Sequence, residues 1–157
     1  MRRIDRTKKD PEWIYATLSE GLVCHLALTD GSNPYVIALN YGFRYDGAEK
    51  LDLFFHCATE GRKLDLIRIN PSAAFIIDSA GPLVTGAEGC DWGMQYRSIA
   101  GTGIIQELHD HAQRKTALDL LMHHYSGRKD FTYNEKILAA TTILVLTVNS
   151  FSGKEKS

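Results

Sequence analysis

The sequence contains no apolar run that approaches the roughly 20 residues needed to cross a bilayer as a helix. Its charged first residues are not followed by the apolar core of a signal peptide. Neither charge predominates, since 18 Lys and Arg residues stand against 19 Asp and Glu residues, for a formal net charge of −1. These absences argue against a membrane anchor, secretion and a broad nucleic-acid-binding surface. We therefore predict a cytoplasmic protein that binds neither membrane nor nucleic acid.

Cysteine is scarce, and the three residues present, Cys24, Cys57 and Cys90, include no C-x-x-C pair. We expect reduced thiols rather than disulfides, with Cys90 an ordinary free thiol in a glycine-rich stretch. The glycine-rich signatures of Rossmann and P-loop nucleotide sites, G-x-G-x-x-G and G-x-x-x-x-G-K-[ST], are also missing. Any cofactor phosphate must therefore be bound by a different arrangement of residues.

The 157 residues, 44% of them apolar, suffice for one core, and no linker-like stretch divides them, so we predict a single domain over residues 1–157. Short β-prone runs separated by turn residues dominate the pattern. Strands are predicted at residues 22–29, 35–41 with an extension toward 45, 51–56, 73–77, 94–108 and 141–148. Residues 79–93 are predicted to form a glycine-rich loop with a short strand at 83–84, and residues 152–157 a polar tail. Gly101 and Gly103, inside the long fifth strand, predict a bend or the close approach of another group.

Helices are predicted from Asp10 to Gly21, over residues 64–69, over residues 110–125, and in a short segment from Asn134. The helix over residues 110–125 carries one apolar face, formed by Ala117, Leu118, Leu121, Met122 and Tyr125. Hairpin-linked strands with helices early and late in the chain indicate an α+β fold rather than a doubly wound α/β fold. About six strands predict a small antiparallel barrel, closed or nearly closed, with this helix packed against it.

The segment from Phe54 to Lys63 carries the densest chemistry in the sequence. A β-prone strand ends in His56, and a polar turn then presents Arg62 and Lys63 at a helix start. A forked guanidinium, an ammonium group and free helix N–H groups together would hold a phosphate monoester. A solvated basic turn that feeds a helix accounts for the same residues equally well. Because side chains alternate along a strand, Phe55 facing the core would turn His56 outward.

Short motifs follow one another in a specific order along nearly the whole chain. They are Met1-Arg2-Arg3, Pro34-Tyr35-Val36, Leu39-Asn40-Tyr41-Gly42, Phe55-His56-x-Ala58-x-x-Gly61-Arg62-Lys63, Leu66-Ile67-Arg68-x-Asn70-Pro71, Tyr96-Arg97-Ser98-x-x-Gly101-x-Gly103, Leu121-Met122-x-His124-Tyr125 and Ser152-Gly153-Lys154-Glu155. In this order and spacing they resemble the pyridoxamine-phosphate-oxidase-like proteins and, within them, the branch named for 5-nitroimidazole resistance.

The resemblance implies a six- or seven-stranded split β-barrel, a homodimer with flavin mononucleotide (FMN) at the subunit interface. It matches Arg62 and Lys63 to the phosphate-binding pair. Ser98 stands where related oxidases often carry a Gln that faces the flavin, and His56 lies beside the ring position, where this branch associates a His with the active site. The strand whose backbone runs along the flavin ring is Val36, Ile37, Ala38, Leu39 and Asn40. The C-terminal Trp and Arg features of true pyridoxamine-phosphate oxidases are missing, so vitamin B6 oxidation is not implied.

We therefore expect an FMN-dependent oxidoreductase without a metal site, which reduces a small electron-poor substrate such as a nitroaromatic. The flavin would carry the redox chemistry, and His56 would be a hydrogen-bond donor or proton source near the substrate. One alternative is a non-catalytic flavin carrier or sensor. Another is a haem-binding relative on the same barrel, with His56 or His124 as the iron ligand.

The remaining candidates have simpler explanations. We interpret His109 and His111 before the long helix, and His123 and His124 near its end, as surface histidines at helix ends rather than metal ligands. Trp92 and Tyr96 either cover a flavin edge or pack in the barrel core or dimer. Asn40, polar within an apolar strand, is expected to have a buried partner, which is either flavin or a neighbouring strand.

Overall fold

A computed structural model describes residues 4–157, so the Met1-Arg2-Arg3 motif lies outside the described residues. The strands are β1 (Thr7–Lys8), β2 (Cys24–Asp30), β3 (Asn33–Leu39), β4 (Gly42–Tyr45), β5 (Leu51–Ala58), β6 (Ser72–Val84), β7 (Gly93–Leu108) and β8 (Thr141–Lys156). The helices are α1 (Pro11–Glu20), α2 (Arg62–Ile69), α3 (His111–Ser126) and α4 (Glu135–Ala139), with short 3-10 turns at Ile4–Arg6 and Gly89–Asp91. No helix in this described part combines the length and the apolar character that a membrane crossing needs.

All strands pair antiparallel in one sheet, in the order β3-β2-β6-β7-β8-β5-β4, and the two-residue β1 pairs with β8. The two ends of this path, β3 and β4, are neighbours in sequence. The sheet therefore curves round until its first and last strands are linked only by the short connection at residues 40–41, which makes the barrel a split one. The predicted α+β class and antiparallel barrel are confirmed.

The predicted helix boundaries follow from side-chain caps. The Asp10 carboxylate accepts from the Trp13 backbone N–H at 2.8 Å at the start of α1. The Asp110 carboxylate accepts from the Gln113 N–H at 2.9 Å at the start of α3. Gly127 ends α3 in the left-handed conformation with a φ of 70°, which a residue with a side chain adopts only at a cost.

The predicted second strand is wrong in one respect, because it does not continue through Tyr41 to Tyr45. β3 ends at Leu39 on β2, and β4 starts at Gly42 on β5. Between them, the Tyr41 N–H donates to the Tyr125 hydroxyl of α3 at 3.0 Å, and the Tyr41 hydroxyl donates to the Leu18 carbonyl at 2.6 Å. These tertiary hydrogen bonds hold Tyr41 between the two strands. β3 therefore pairs with β2 and β4 pairs with β5, and the two do not form one continuous strand.

Two predicted irregular segments are strands in the structure. β6 continues past Ser79 to Val84, with a register shift between Ala80 and Leu83, and β8 includes the polar tail up to Lys156. Both extensions pair with β7, whose first residues lie between them. Backbone pairing with a long neighbouring strand therefore sets their conformation, although their side chains lack an apolar pattern.

The barrel interior is lined by inward-facing residues of every long strand. Nearly fully buried members include Leu26, Phe55, Phe75, Ile99 and Leu146, and Ile14 and Leu18 of α1 pack with them. A second buried cluster joins α3 to the outer side of β5 and β8 through Phe54, Ala117, Ile143 and Val145. Helix α3 therefore covers one outer side of the barrel, as its apolar face predicts.

The glycines of β7 lie where another group approaches the backbone closely, as predicted. A Cβ at Gly101 would be 2.8 Å from a ring atom of Phe75. A Cβ at Gly103 would be 2.9 Å from the Val148 Cα, next to the register shift between Thr102 and Gly103. β7 and β8 therefore approach each other at a distance that only glycine permits.

Glu155 of β8 joins four elements at one end of the barrel. Its carboxylate accepts from the Trp13 indole of α1 at 3.2 Å and from the Arg97 guanidinium of β7 at 3.0 Å, and it pairs with Lys8 of β1 at 2.7 Å. The hydrogen bond from Lys8 is the main cause that lowers the pKa of Glu155, followed by those from Trp13 and Arg97. The last residues of β8 are therefore held by this polar network, whereas residues 143–148 of the same strand are held by apolar burial.

Replacing Glu155 by Gln is expected to lower the free energy of unfolding at pH 7 by about 1–3 kcal/mol, because it removes charge-assisted hydrogen bonds. A lowered folded-state pKa stabilises the protein above the unfolded-state pKa, and this contribution is lost as pH falls through the folded-state pKa. The difference in the free energy of unfolding between wild type and variant should therefore shrink below roughly pH 4.3. Urea denaturation across this pH range measures it, and a difference that persists undiminished in acid would contradict the charge argument.

Candidate cofactor site

One outward side of the sheet carries small and exposed side chains, and we call this surface the open face. It comprises the outward residues of β3, β2, β6, β7 and the C-terminal half of β8. One row across it is Val36, Ala27, Ala74, Thr102 and Ser150, and the next is Ala38, His25, Ile76, Ala100 and Ser152. Because most of these side chains are small, a planar group has room to lie close to the sheet backbone.

The predicted ring-binding strand forms one border of the open face. Val36 is 62% exposed and Ala38 is also exposed, whereas Ile37 and Leu39 pack against the barrel core. Asn40 follows the strand and is exposed, so it has no buried partner within the described residues, and its contact with flavin stays a prediction. Its amide donates to the Leu22 carbonyl at 3.4 Å, because the strand ends before Asn40 can enter the core.

Arg62 connects helix α2 to the hairpin of β2 and β3. Its guanidinium forms a short ion pair with Asp30 and lies 5.4 Å from the centroid of the Tyr35 ring. The ion pair is the main cause that raises the pKa of Arg62 further. The structure therefore brings Arg62 to the start of the predicted ring-binding strand, and Asp30 engages one of its five N–H donors.

Lys63 is half-buried beside Cys57 of β5. Burial raises the pKa of the Cys57 thiol, and the charge and hydrogen bond of Lys63 oppose that rise. Gly61, which precedes the helix with a φ of 134°, provides no side-chain cap, so the first N–H groups of α2 keep their hydrogen-bonding capacity. Two cations and an uncapped helix N-terminus therefore occupy one corner of the barrel, which is a chemically suitable set for a phosphate.

His56 faces outward from β5, while its neighbour Phe55 is only 1% exposed in the core, as alternation predicts. Its cross-strand partner is Ile143 of β8. Within residues 4–157, its imidazole makes no side-chain hydrogen bond or ion pair. β5 lies on the far side of β8 from β7, so a single chain does not bring His56 into the rows of the open face that carry Val36 and Ala38.

Ser98 lies on the open face in β7, between Asp78 of β6 and Lys154 of β8. It is 9% exposed, and its hydroxyl has no hydrogen-bond partner in the described part of the chain. It therefore remains available to a ligand.

Sequence reasoning missed one pair of residues on the open face. His25 lies between Ala38 and Ile76 and is exposed, and its Nδ1 is 3.6 Å from the Asp78 carboxylate. The signal was present, because His25 alternates with the buried residues Cys24 and Leu26.

The alternative histidine ligand and the other aromatic candidates have local partners. The Nε2 of His124 lies 2.7 Å from the Gly21 carbonyl, and its ring packs 4.6 Å from the Tyr41 ring. Burial is the main cause that lowers the pKa of His124, and together these contacts tie the end of α3 to the start of β2. Trp92 is 52% exposed and donates to the Gly86 carbonyl, while Cys90 is exposed.

The helix-end histidines also show no convergent ligand set. His111 lies 3.2 Å from Glu135, and within residues 4–157 no three His, Cys, Asp or Glu side chains are grouped to hold a metal ion.

The split barrel with a phosphate-suited corner beside it defines the class of fold. Comparisons with known proteins then identify the family. A family model described as pyridoxamine 5'-phosphate oxidase matches residues 10–155. The chain belongs to this pyridoxamine 5'-phosphate oxidase family. No curated protein matches the chain at a significant level.

Several solved structures share the fold. A candidate 5-nitroimidazole antibiotic resistance protein from Bacteroides thetaiotaomicron is 23% identical with a TM-score of 0.81, over 95% of this chain and 86% of that one. An FAD and haem binding protein from Mycobacterium smegmatis is 21% identical with a TM-score of 0.82, over 97% of this chain and 74% of that one. A flavocytochrome from Azotobacter vinelandii is 17% identical with a TM-score of 0.80, over 100% of this chain and 72% of that one.

Proposed function

We propose that the chain binds FMN on the open face and uses it to reduce a small electron-poor substrate, nitroaromatic compounds being one class. The observation that carries this proposal is the position of Arg62, at the uncapped start of α2, beside Asp30 and Tyr35, the residue directly before Val36 of β3. A phosphate at the helix start and a ring against the small side chains fit one elongated ligand with a single terminal phosphate. The family and the flavin-binding fold neighbours support a flavin, and we choose FMN because Arg62, Lys63 and the start of α2 form a corner suited to one terminal phosphate.

When bound, FMN would supply the redox chemistry, and the chain would position and solvate it. Arg62 and Lys63 would hold the phosphate, the exposed side of β3 would support the ring, and Ser98 would offer a hydroxyl to its edge. We assign His56 the role of proton source for the substrate, because an imidazole can donate a proton to a group that takes up electrons.

The proposed assembly is a homodimer with one flavin at each interface. The open face exposes Val36, Ile76 and Ile104, which are 62%, 39% and 40% exposed, in a surface continuous enough to meet a second copy. A partner subunit would also offer a route by which His56 approaches a flavin on the open face of the other chain. A monodisperse monomer at micromolar concentration that still holds flavin would contradict this assembly.

The visible spectrum of the freshly purified protein tests the cofactor. We expect flavin absorption, with FMN as the flavin released on denaturation and separated by chromatography. A Soret band would support the haem-binding alternative. Of the two candidate iron ligands, His56 would then be the better one, because the Nε2 of His124 already contacts the Gly21 carbonyl. Released FAD would overturn the choice of FMN. Anaerobic turnover of nitroaromatic substrates with the reduced protein then separates an enzyme from a carrier.

Replacing His56 by Ala is expected to leave the fold and the FMN occupancy nearly intact, while substrate reduction falls about a hundredfold or more, in the range that a general acid contributes. Stopped-flow oxidation of the reduced flavin measures the step. His111, exposed at the start of α3 and paired with Glu135, provides the matched control, and His111→Ala should keep wild-type turnover. Undiminished turnover in a flavin-loaded His56→Ala variant would remove His56 from the mechanism and favour the carrier.

A further inference from the structure

A hollow in the open face lies over β6, β7 and β8, away from the corner that carries Arg62. It encloses about 560 Å³, with Ser98, Ala100 and Ser152 at its floor and Ile76 and Met94 beside it. The floor residues occupy neighbouring positions of β7 and β8, with Ala100 paired to Ser152. The small floor and the apolar sides suit a flat ring of roughly benzene size.

The polar residues of the hollow point to a ligand. Ser98 is buried to more than nine-tenths, yet its hydroxyl has no hydrogen-bond partner within residues 4–157. The hydroxyl itself is open to the hollow, since among the described residues only the His123 Nδ1 is a fully buried side-chain polar atom without a partner. A ligand oxygen in the hollow can therefore accept a hydrogen bond from this hydroxyl.

The charges beside Ser98 indicate the sign of that ligand. Lys154 pairs with Ser98 across the strands, and its Nζ lies 5.6 Å from the centroid of the Tyr96 ring. A hydrogen bond with Lys154 is the main cause that lowers the pKa of Tyr96, with a further contribution from Arg6. On the opposite side, the Asp78 carboxylate also lines the hollow, across Ser98 from Lys154, and lies 3.6 Å from the His25 Nδ1. The side of the hollow nearest Lys154 therefore favours an anionic oxygen group.

We propose that this hollow is the substrate subsite, and that it takes a small aromatic carboxylate whose carboxylate binds Lys154 and Ser98 while its ring lies between Ile76 and Met94. This inference rests on the proposed function in one respect, since Ser98 would also border the flavin and so bring the ring of the substrate beside it. It narrows the substrate class from electron-poor compounds in general to aromatic acids.

Benzoate and its neutral isostere benzamide test the subsite without any redox reaction. Titration calorimetry on the purified protein, with its cofactor and after the cofactor is removed, is expected to show benzoate bound about tenfold or more tightly than benzamide. Lys154→Met should abolish the preference, Lys154→Arg should retain most of it, and Ser98→Ala should weaken benzoate binding more than benzamide binding. Lys156→Met is the matched control, because it removes the same charge two residues further along β8 and outside the lining of the hollow.

Equal binding of the two probes, no binding of either, or an unchanged preference in Lys154→Met would overturn the proposal. If Lys154→Arg retains the preference for benzoate, the loss of that preference in Lys154→Met reflects the missing charge and not misfolding. Benzoate binding that depends on Lys154 in a chain that takes up no flavin would overturn the proposed function and keep the subsite. A chain that binds FMN through Arg62 and does not discriminate benzoate would keep the function and overturn the subsite.

Discussion

Replacing Arg62 and Lys63 together by Ala is expected to weaken FMN binding about a hundredfold or more and to leave riboflavin binding nearly unchanged. Hydrogen bonds to charged groups contribute roughly 1.5–3 kcal/mol each, and two of them correspond to at least this factor. Asp30 engages one N–H of Arg62 in the free protein, which leaves the remaining donors of the guanidinium for a phosphate. Flavin fluorescence titrations with both ligands measure the difference.

The control for this pair is Arg68→Ala in the last turn of the same helix, where the guanidinium binds Glu107 at 2.8 Å. It removes one positive charge from α2 at the end opposite to the proposed phosphate, so FMN affinity should change less than about threefold, as expected for a screened surface charge. Equal losses for FMN and riboflavin in the double variant would show that Arg62 and Lys63 do not recognise the phosphate.

Gly42→Ala is expected to lower the free energy of unfolding by about 2–3 kcal/mol, the upper part of the range for overpacked sites. A Cβ at Gly42 would lie 2.6 Å from the Leu121 Cα and 2.8 Å from the Leu120 carbonyl carbon, both backbone atoms of α3. A backbone cannot rotate away as a flexible side chain can, so the helix itself must move off β4. Chemical denaturation measures the loss, and the melting temperature should fall by roughly 5–10 °C.

Gly89→Ala is the matched control for this substitution. A Cβ there meets no atom within 4 Å, and the residue does not adopt a positive φ. Its stability should match wild type or rise by a few tenths of a kcal/mol, since alanine restricts the unfolded chain. If Gly42→Ala is equally harmless, α3 does not pack against β4 as closely as the structure has it.

Much of the fold could be predicted from the sequence where one face of an element is apolar and the other polar. β2 alternates through Cys24, Leu26 and Leu28, and α3 has both a capping Asp110 and a terminal Gly127, so their positions followed from local signals. The break at Asn40 could not be predicted in this way. It depends on the Tyr125 hydroxyl, which lies 84 residues further along the chain from Tyr41.

The candidate site was also predictable only where local sequence signals indicate it. Arg62 and Lys63 stand out as adjacent cations at a helix start, but their approach to Tyr35 and Asp30 depends on how α2 packs beside the hairpin of β2 and β3. The polar strand ends that carry Lys154 and Ser79 have no apolar periodicity, so nothing local indicates that they belong to a sheet. Those segments acquire their structure from β7.

The position of β8 in the sheet has a consequence for synthesis of the protein. β8 is the last strand along the chain, yet it is the hydrogen-bonded link between the block β3-β2-β6-β7 and the pair β5-β4. While the nascent chain is still on the ribosome, these two parts have no common strand until residues 141–156 have emerged from the exit tunnel. Until then the edges of β7 and β5 expose unpaired backbone groups, which are recognised by chaperones and prone to aggregation. Translational pausing or a stop codon before this segment should therefore send the chain to degradation rather than to a partly folded product.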